Sequence, residues 1–264
     1  MIYFYCALIG AFAGFFSGLF GIGGGIMVVP ILSFVLIKYQ FPLDNLMHYA
    51  IGTSFATMVF SSVAASFFHH KKGVVYWHLF WYVIPGTILG SVLGVALGDI
   101  LPSDVLRICF CVFALFIAYL FFRKDKPRQD LNGKLPIPLL FLTVFAVGVG
   151  MASGLIGIGG GVLLVPLLVR LHLTMPQAIG LSASCTFPTV LAGTLSAIFF
   201  GFNEGATPIP NLGFVLWPLA LIQGAASVLT ASFGVTLAHK LPRIWLRRTF
   251  AVLLLFIAWL MFPR

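Results

Sequence analysis

Apolar residues run along this chain in long blocks separated by short polar stretches. Five blocks occupy residues 2–20, 26–37, 46–68, 76–98 and 104–122, and five more follow at 137–156, 162–173, 177–200, 213–238 and 243–262. A block of 19 or more residues, wound as a helix, can cross a hydrocarbon core about 30 Å thick. The second block of each series has 12 residues, which at 1.5 Å per residue reach only about 18 Å. The pattern predicts a broken helix-turn-helix hairpin from the first two blocks of each series, with its tip inside the membrane; two strained full spans would have the same parity. Three full transmembrane helices then complete each series.

The two series are copies of one unit. Residues 16–32, "FSGLFGIGGGIMVVPIL", and 152–168, "ASGLIGIGGGVLLVPLL", agree at eleven of seventeen positions. "AIGTS" at 50–54 answers "AIGLS" at 178–182, Gly86 answers Gly224, and "FIAYL" at 116–120 answers "FIAWL" at 256–260. Order is preserved throughout, so each half is a whole repeat. The expected division is a first transmembrane repeat at 1–122, a polar linker at 123–136 and a second repeat at 137–264. The "AFA" at 11–13 resembles a leader cleavage site, but no basic stretch precedes it and the repeat includes it, so it reads as mature sequence.

Charge then orients the copies. The loop after the third block carries His69, His70, Lys71 and Lys72 in the first copy, whereas its counterpart at 201–212 has Glu204 and no cation. The next loop reverses this, with Asp99, Asp104 and Arg107 against His239, Lys240, Arg243, Arg247 and Arg248. By the positive-inside rule the copies have inverted topology. With 69–73, the linker and 239–248 in the cytoplasm, both termini face outward from a bacterial inner membrane.

Composition agrees with this solvent: 61% of the 264 residues are apolar and 8% charged. The net charge of +9 comes from short clusters between apolar blocks, without the basic groove interleaved with aromatics that a nucleic acid would need. Cys6, Cys109, Cys111 and Cys185 stand inside apolar blocks without metal-ligand spacing, which predicts buried free thiols, no metal and no cofactor. The stripe Gly86, Gly90, Gly94 and Gly98 gives one helix a face of small residues for close packing, within the chain or across a homodimer.

The triple glycines carry the candidate chemistry. Gly21 and Gly23 are followed by Ile26 where a dinucleotide fingerprint needs a third glycine, and no Gly-Lys-Ser/Thr follows as in a Walker loop. Irregular backbone at membrane depth is tolerated where it is buried in protein or lines a cavity. Pro30 and Pro166, which suit the first turn of a helix, suggest unwound chain before each. Backbone amides of Gly23, Gly24 and Gly25, and of Gly159, Gly160 and Gly161, would then face a midplane site. Helix N-termini there favour an anion. Thr53, Ser54, Thr57, Ser182, Ser184 and Thr186 supply hydroxyls on the block after each hairpin, and Gln223 an amide. His48 reads as an interfacial side chain. All six carboxylates fall at loops or helix ends, so no buried acid is available for a proton relay.

The duplicated "GxGGGxxxxP" followed by "AIGTS" resembles the TauE/SafE family of sulfite and organosulfonate exporters, and the likeness covers both halves. It implies a permease for sulfite or small sulfonates such as sulfoacetate, with uptake also associated with the group. Carried over by position, it implies an anion site at Gly23 to Gly25, Gly159 to Gly161, Thr53, Ser54 and Ser182. Leu181 stands where Thr53 would be matched and makes the half-sites unequal. Two alternatives remain: a permease for an unrelated small solute, and an intramembrane hydrolase suggested by "GLSAS" at 180–184, which lacks the closing glycine of a nucleophile elbow. A permanently anionic substrate and no buried acid together predict export driven by the membrane potential.

Overall fold

The computed structural model describes residues 2–21, 23–122, 139–171, 173–203, 207–241 and 243–262. The linker 123–136, His172 and Glu204 lie outside the described residues. The first repeat forms α1 (Ile2–Phe20), α2 (Gly25–Lys38), α3 (Leu46–Lys71), α4 (Trp77–Ile100) and α5 (Ser103–Phe122). The second forms α6 (Leu139–Ile156), α7 (Gly161–Arg170), α8 (Met175–Phe200), α9 (Trp217–Lys240) and α10 (Arg243–Met261). Six of these helices are long and apolar enough to cross a bilayer. Their outward faces carry exposed Phe4, Phe12, Trp81, Tyr119, Phe199 and Phe233, and α10 adds Trp259. A surface this apolar requires lipid, and the protein is a multi-pass membrane protein.

Helices α2 and α7 are the short ones, at 14 and 10 residues. The chain doubles back between α1 and α2, so the Lys38 ammonium at the end of α2 lies 5.3 Å over the ring of Tyr5 near the start of α1. Pro30 and Pro166 are not at the first turn. Each sits inside its helix, five residues past the start, and the irregular stretch ends earlier, at Gly24 and Gly160. The reason is local: both glycines are left-handed, with φ of +84° and +73°, and a left-handed residue closes the turn before proline can act.

Glycine stripes join the repeats by exchange. Gly10, Gly14 and Gly18 of α1 lie directly on the backbone of Gln223, Ser227 and Ala231 in α9. Gly86, Gly90 and Gly94 of α4 lie in the same way on Thr143, Val147 and Met151 of α6, which answers with Gly150 and Gly154. The first helix of each repeat therefore packs along the fourth helix of the other. In lipid no hydrophobic gain favours one helix pair over another, so small residues that let backbones touch supply the association. The α4 stripe is thus consumed inside the chain. Helices α3 and α8, the third of each repeat, pack on each other at the centre, and α5 packs on α10 with the rings of Phe121 and Phe250 4.9 Å apart and Cys111 beside the Ala258 carbonyl.

Not every glycine in these stripes is needed. A Cβ on Gly90 would run into the Val147 carbonyl and the Met151 amide, whereas one on Gly148 meets nothing within 4 Å. Gly90→Val should lower the thermal unfolding midpoint sharply or prevent accumulation in the membrane, and Gly148→Val should leave it within a few degrees. Equal loss in both would contradict the exchanged packing.

Candidate functional site

The site is built from two turns that only glycine makes easily. Between α1 and α2, Gly21, Gly23 and Gly24 have φ of +69°, +75° and +84°; between α6 and α7, Gly157, Gly159 and Gly160 have +75°, +84° and +73°. An L side chain in this region costs roughly 1–2 kcal/mol per residue. Gly25 and Gly161, the last glycine of each triplet, are already helical and begin α2 and α7. Gly25 is required by proximity, since a Cβ there would meet the Gly157 carbonyl oxygen and the Met58 sulfur.

Both turns reach the same place. A Cβ on Gly23 would lie 2.9 Å from the Thr186 methyl and 3.0 Å from the Met58 sulfur; on Gly159 the values are 3.1 Å and 2.9 Å. Met58 and Thr186 are repeat counterparts at mid-length in α3 and α8, and both are fully buried. The openings of α2 and α7 thus converge at the middle of the two central helices, with a thioether and a methyl between them. Met58 was not visible as a site residue in the sequence, although its alignment with Thr186 was available as a signal.

Hydroxyls bind the carbonyls that the turns leave behind. Ser54 Oγ donates to the Gly157 carbonyl of the other repeat at 3.1 Å. Ser182 Oγ lies 3.0 Å from the carbonyls of Gly21, across the repeats, and of Gly161. Ser61 Oγ, not singled out in the sequence, donates to the Gly23 carbonyl at 2.7 Å. Thr53 faces elsewhere: its Oγ1 accepts from the Leu216 amide at 3.0 Å, where the chain enters α9. Ser184 lies across α8, between the Gly180 carbonyl at 3.0 Å and the Ser66 hydroxyl at 2.9 Å. Gln223 is fully buried beside Cys6 and 2.8 Å from Thr57 Oγ1. Thr57 Oγ1 donates to Gln223 Oε1, with the Thr53 carbonyl a second acceptor 3.0 Å away.

Each end of the central region is held by a histidine. His48 Nε2 is 3.0 Å from the Gly98 carbonyl, its ring 5.0 Å from that of Phe214. Together with Ile51, Gly52, Val95, Asp99 and Leu155 they line a small, partly open cleft of about 20 Å³. Ile51 also touches Gly157, so the cavity ends against the second glycine turn. At the opposite end of α3, His69 Nε2 is 3.1 Å from the Gly18 carbonyl and its ring lies 5.6 Å from that of His239. Among the described residues no Asp, Glu, Lys or Arg is buried, and no cluster could hold a metal ion.

The family model for the sulfite exporter TauE/SafE matches residues 6–261, which takes in both glycine turns and all ten helices' packed faces. The chain belongs to the TauE/SafE family. It is 35% identical over 257 residues to a probable membrane transporter protein of Haemophilus influenzae, covering 97% of each chain. A probable membrane transporter protein of Methanocaldococcus jannaschii is 28% identical over 91% of this chain and 88% of its own, and one of Bacillus subtilis 26% identical over 83% and 82%. No solved structure matches. This TauE/SafE protein is therefore a membrane transporter, and the intramembrane hydrolase reading falls. Ser182, which would have been its nucleophile, is engaged with the carbonyls of the turns.

The turns differ in how much room they leave. A Cβ on Gly24 would press into the carbonyl group of Ala13, with the Ala13 Cα at 3.0 Å, whereas on Gly160 the nearest atom is Val149 Cγ1 at 3.7 Å. Gly160→Ala should cost only the backbone strain of about 1–2 kcal/mol, and Gly24→Ala clearly more. Unfolding midpoints in detergent compare them, and equal midpoints would contradict the unequal packing.

Proposed function

We propose that this protein moves a small organosulfur anion, sulfite or a sulfonate such as sulfoacetate, across the bacterial inner membrane by alternating access between two inverted repeats. One observation carries the reading: α2 and α7 open toward the same buried pair, Met58 and Thr186, at mid-length in the central helices. Each helix N-terminus contributes about half a positive charge, and discontinuous helices arranged in this way recur around substrates of secondary transporters. Gly23, Gly24, Gly25, Gly159, Gly160 and Gly161 provide backbone, and Ser54 and Ser182 hold the turns. Thr53, Ser184 and Gln223 act through the packing around them. With the described carboxylates all outside the core, the anion moves without a proton relay, outward down the membrane potential.

The inverted disposition is supported by the exchanged pairing of α1 with α9 and α4 with α6. It is supported also by Lys71 and Lys72 at the end of α3, against a cation-free loop after α8. The termini then face outward and the linker 123–136 is cytoplasmic. Single cysteines at Lys72 and Asn203, in a protein whose four native cysteines are replaced, should be labelled by an impermeant maleimide from opposite sides of intact cells. Same-side labelling would end the inverted arrangement.

Voltage tests the transport reading. Moving one negative charge outward across 100 mV, inside negative, gains about 2.3 kcal/mol, equivalent to a gradient of roughly fiftyfold. In proteoliposomes loaded with sulfite or sulfoacetate, a potassium diffusion potential, negative inside, should accelerate efflux. Gly160→Leu, which fills a turn where there is room, should abolish it. Efflux indifferent to voltage and driven by a pH gradient would overturn the mechanism.

A further inference from the structure

Nearly every buried hydroxyl in this chain is occupied. Thr186, Thr189 and Ser184 donate to the carbonyl four residues earlier in their own helices, the ordinary fate of a hydroxyl in a membrane helix. Ser54, Ser61 and Ser182 hold the glycine turns. Among the described residues two buried hydroxyls have no hydrogen-bond partner: Ser17, 0% exposed, and Ser153, 2% exposed. They are the same position of the two repeats, the serine of "SGL" in each motif. A lone orphaned hydroxyl is a local accident; the same orphan at equivalent positions is a property of the repeat.

Both stand at the mouth of a helix. Gly160, which precedes α7, has Ser153 Cβ and Oγ each 3.8 Å from the place of its missing Cβ, with Val149 one turn back. In the first repeat Gly24, which precedes α2, packs on Ala13, the counterpart of Val149, and Ser17 is one turn on along the same face of α1. Side chains lean toward the N-terminus of their helix, so Ser17 leans toward Gly24. Each helix start therefore has a buried hydroxyl beside it with a proton to give and no acceptor among the described residues. Leaving such a donor dry is unfavourable, and a ligand oxygen would relieve it.

We infer that Ser17 and Ser153 are substrate-binding residues, each donating to an oxygen of the sulfur oxyanion head group at the start of α2 and of α7. The inference rests on the transporter reading above and makes it specific: the two hydroxyls, one from each repeat, supply directed donors, and the two helix starts together offer about one positive charge. An SO3 group, with its negative charge and three equivalent oxygens, is an acceptor suited to such donors.

The test is ligand binding by the full-length protein in detergent and transport in proteoliposomes, with sulfite and sulfoacetate as probes, for wild type, Ser17→Ala, Ser153→Ala and the double variant. Alanine removes an unsatisfied hydroxyl, so the ligand-free unfolding midpoint should stay the same or rise. The concentration giving a half-maximal thermal shift, and the KM, should increase about tenfold in each single variant and about a hundredfold in the double, since a hydrogen bond to a charged group is worth ten- to a hundredfold in affinity. Ser17→Cys and Ser153→Cys keep the side-chain shape and weaken the donor, and they should show the same loss. Wild-type binding with all variants within twofold of it would overturn this inference and leave the transporter reading intact. A wild type that binds neither probe would overturn both.

Discussion

Backbone at membrane depth has to find its partners inside the protein, and this structure is arranged around that constraint. Helices α1 and α6 stop beside the middle of α3 and α8, and the chain turns on three left-handed glycines before α2 and α7 begin. Three of the carbonyls set free in these turns, those of Gly21, Gly23 and Gly157, accept from Ser182, Ser61 and Ser54, and Ser182 also lies by the Gly161 carbonyl at the start of α7. In hydrocarbon each unpaired group would cost several kcal/mol. The serines are what allows the helices to break, and they cross between the repeats, so neither turn is complete without the other half.

That crossing explains the exchanged architecture. A repeat standing alone would leave Ser54 without the Gly157 carbonyl and the glycine face of α1 without α9. Interleaving closes both needs at once: glycine stripes bring α1 against α9 and α4 against α6, while α3 and α8 meet at the centre where the turns arrive. Small residues serve two ends here. On the long helices they give contact between backbones, and at the turns they give a conformation; the two requirements share the symbol G in the sequence and nothing else.

Much of this was legible from the chain. Block lengths marked α2 and α7 as too short to span, and the repeat marked the glycine turns as a matched pair. The small face of α4 announced close packing. The hydroxyls were not legible individually, because a serine in a helix can face any of several neighbours and the sequence does not say which. Thr53 and Ser54 are adjacent, yet one accepts from the Leu216 amide and the other donates to Gly157. Ser182 and Ser184 are two residues apart, which on a helix turns them to different faces. Pro30 and Pro166 misled for a related reason: proline reports where a helix tolerates a missing amide, while left-handed glycines decide where it starts.

The histidines complete the argument about motion. The central region is closed at one end by His48 on the Gly98 carbonyl and at the other by His69 on the Gly18 carbonyl, and in each case a side chain of α3 holds backbone of a neighbouring helix. A hydrogen bond of this kind contributes about 0.5–1.5 kcal/mol net, so either end can part at a cost well below that of breaking the glycine stripes. Gly18 lies in the last turn of α1, next to Ser17 and three residues before the first left-handed glycine. Releasing His69 would remove one hold on this last turn of α1, which stays seated on α9 through Gly18 on Ala231. The glycine seam thus fixes the frame, and the two histidine contacts are the weaker ties at the ends of the central region.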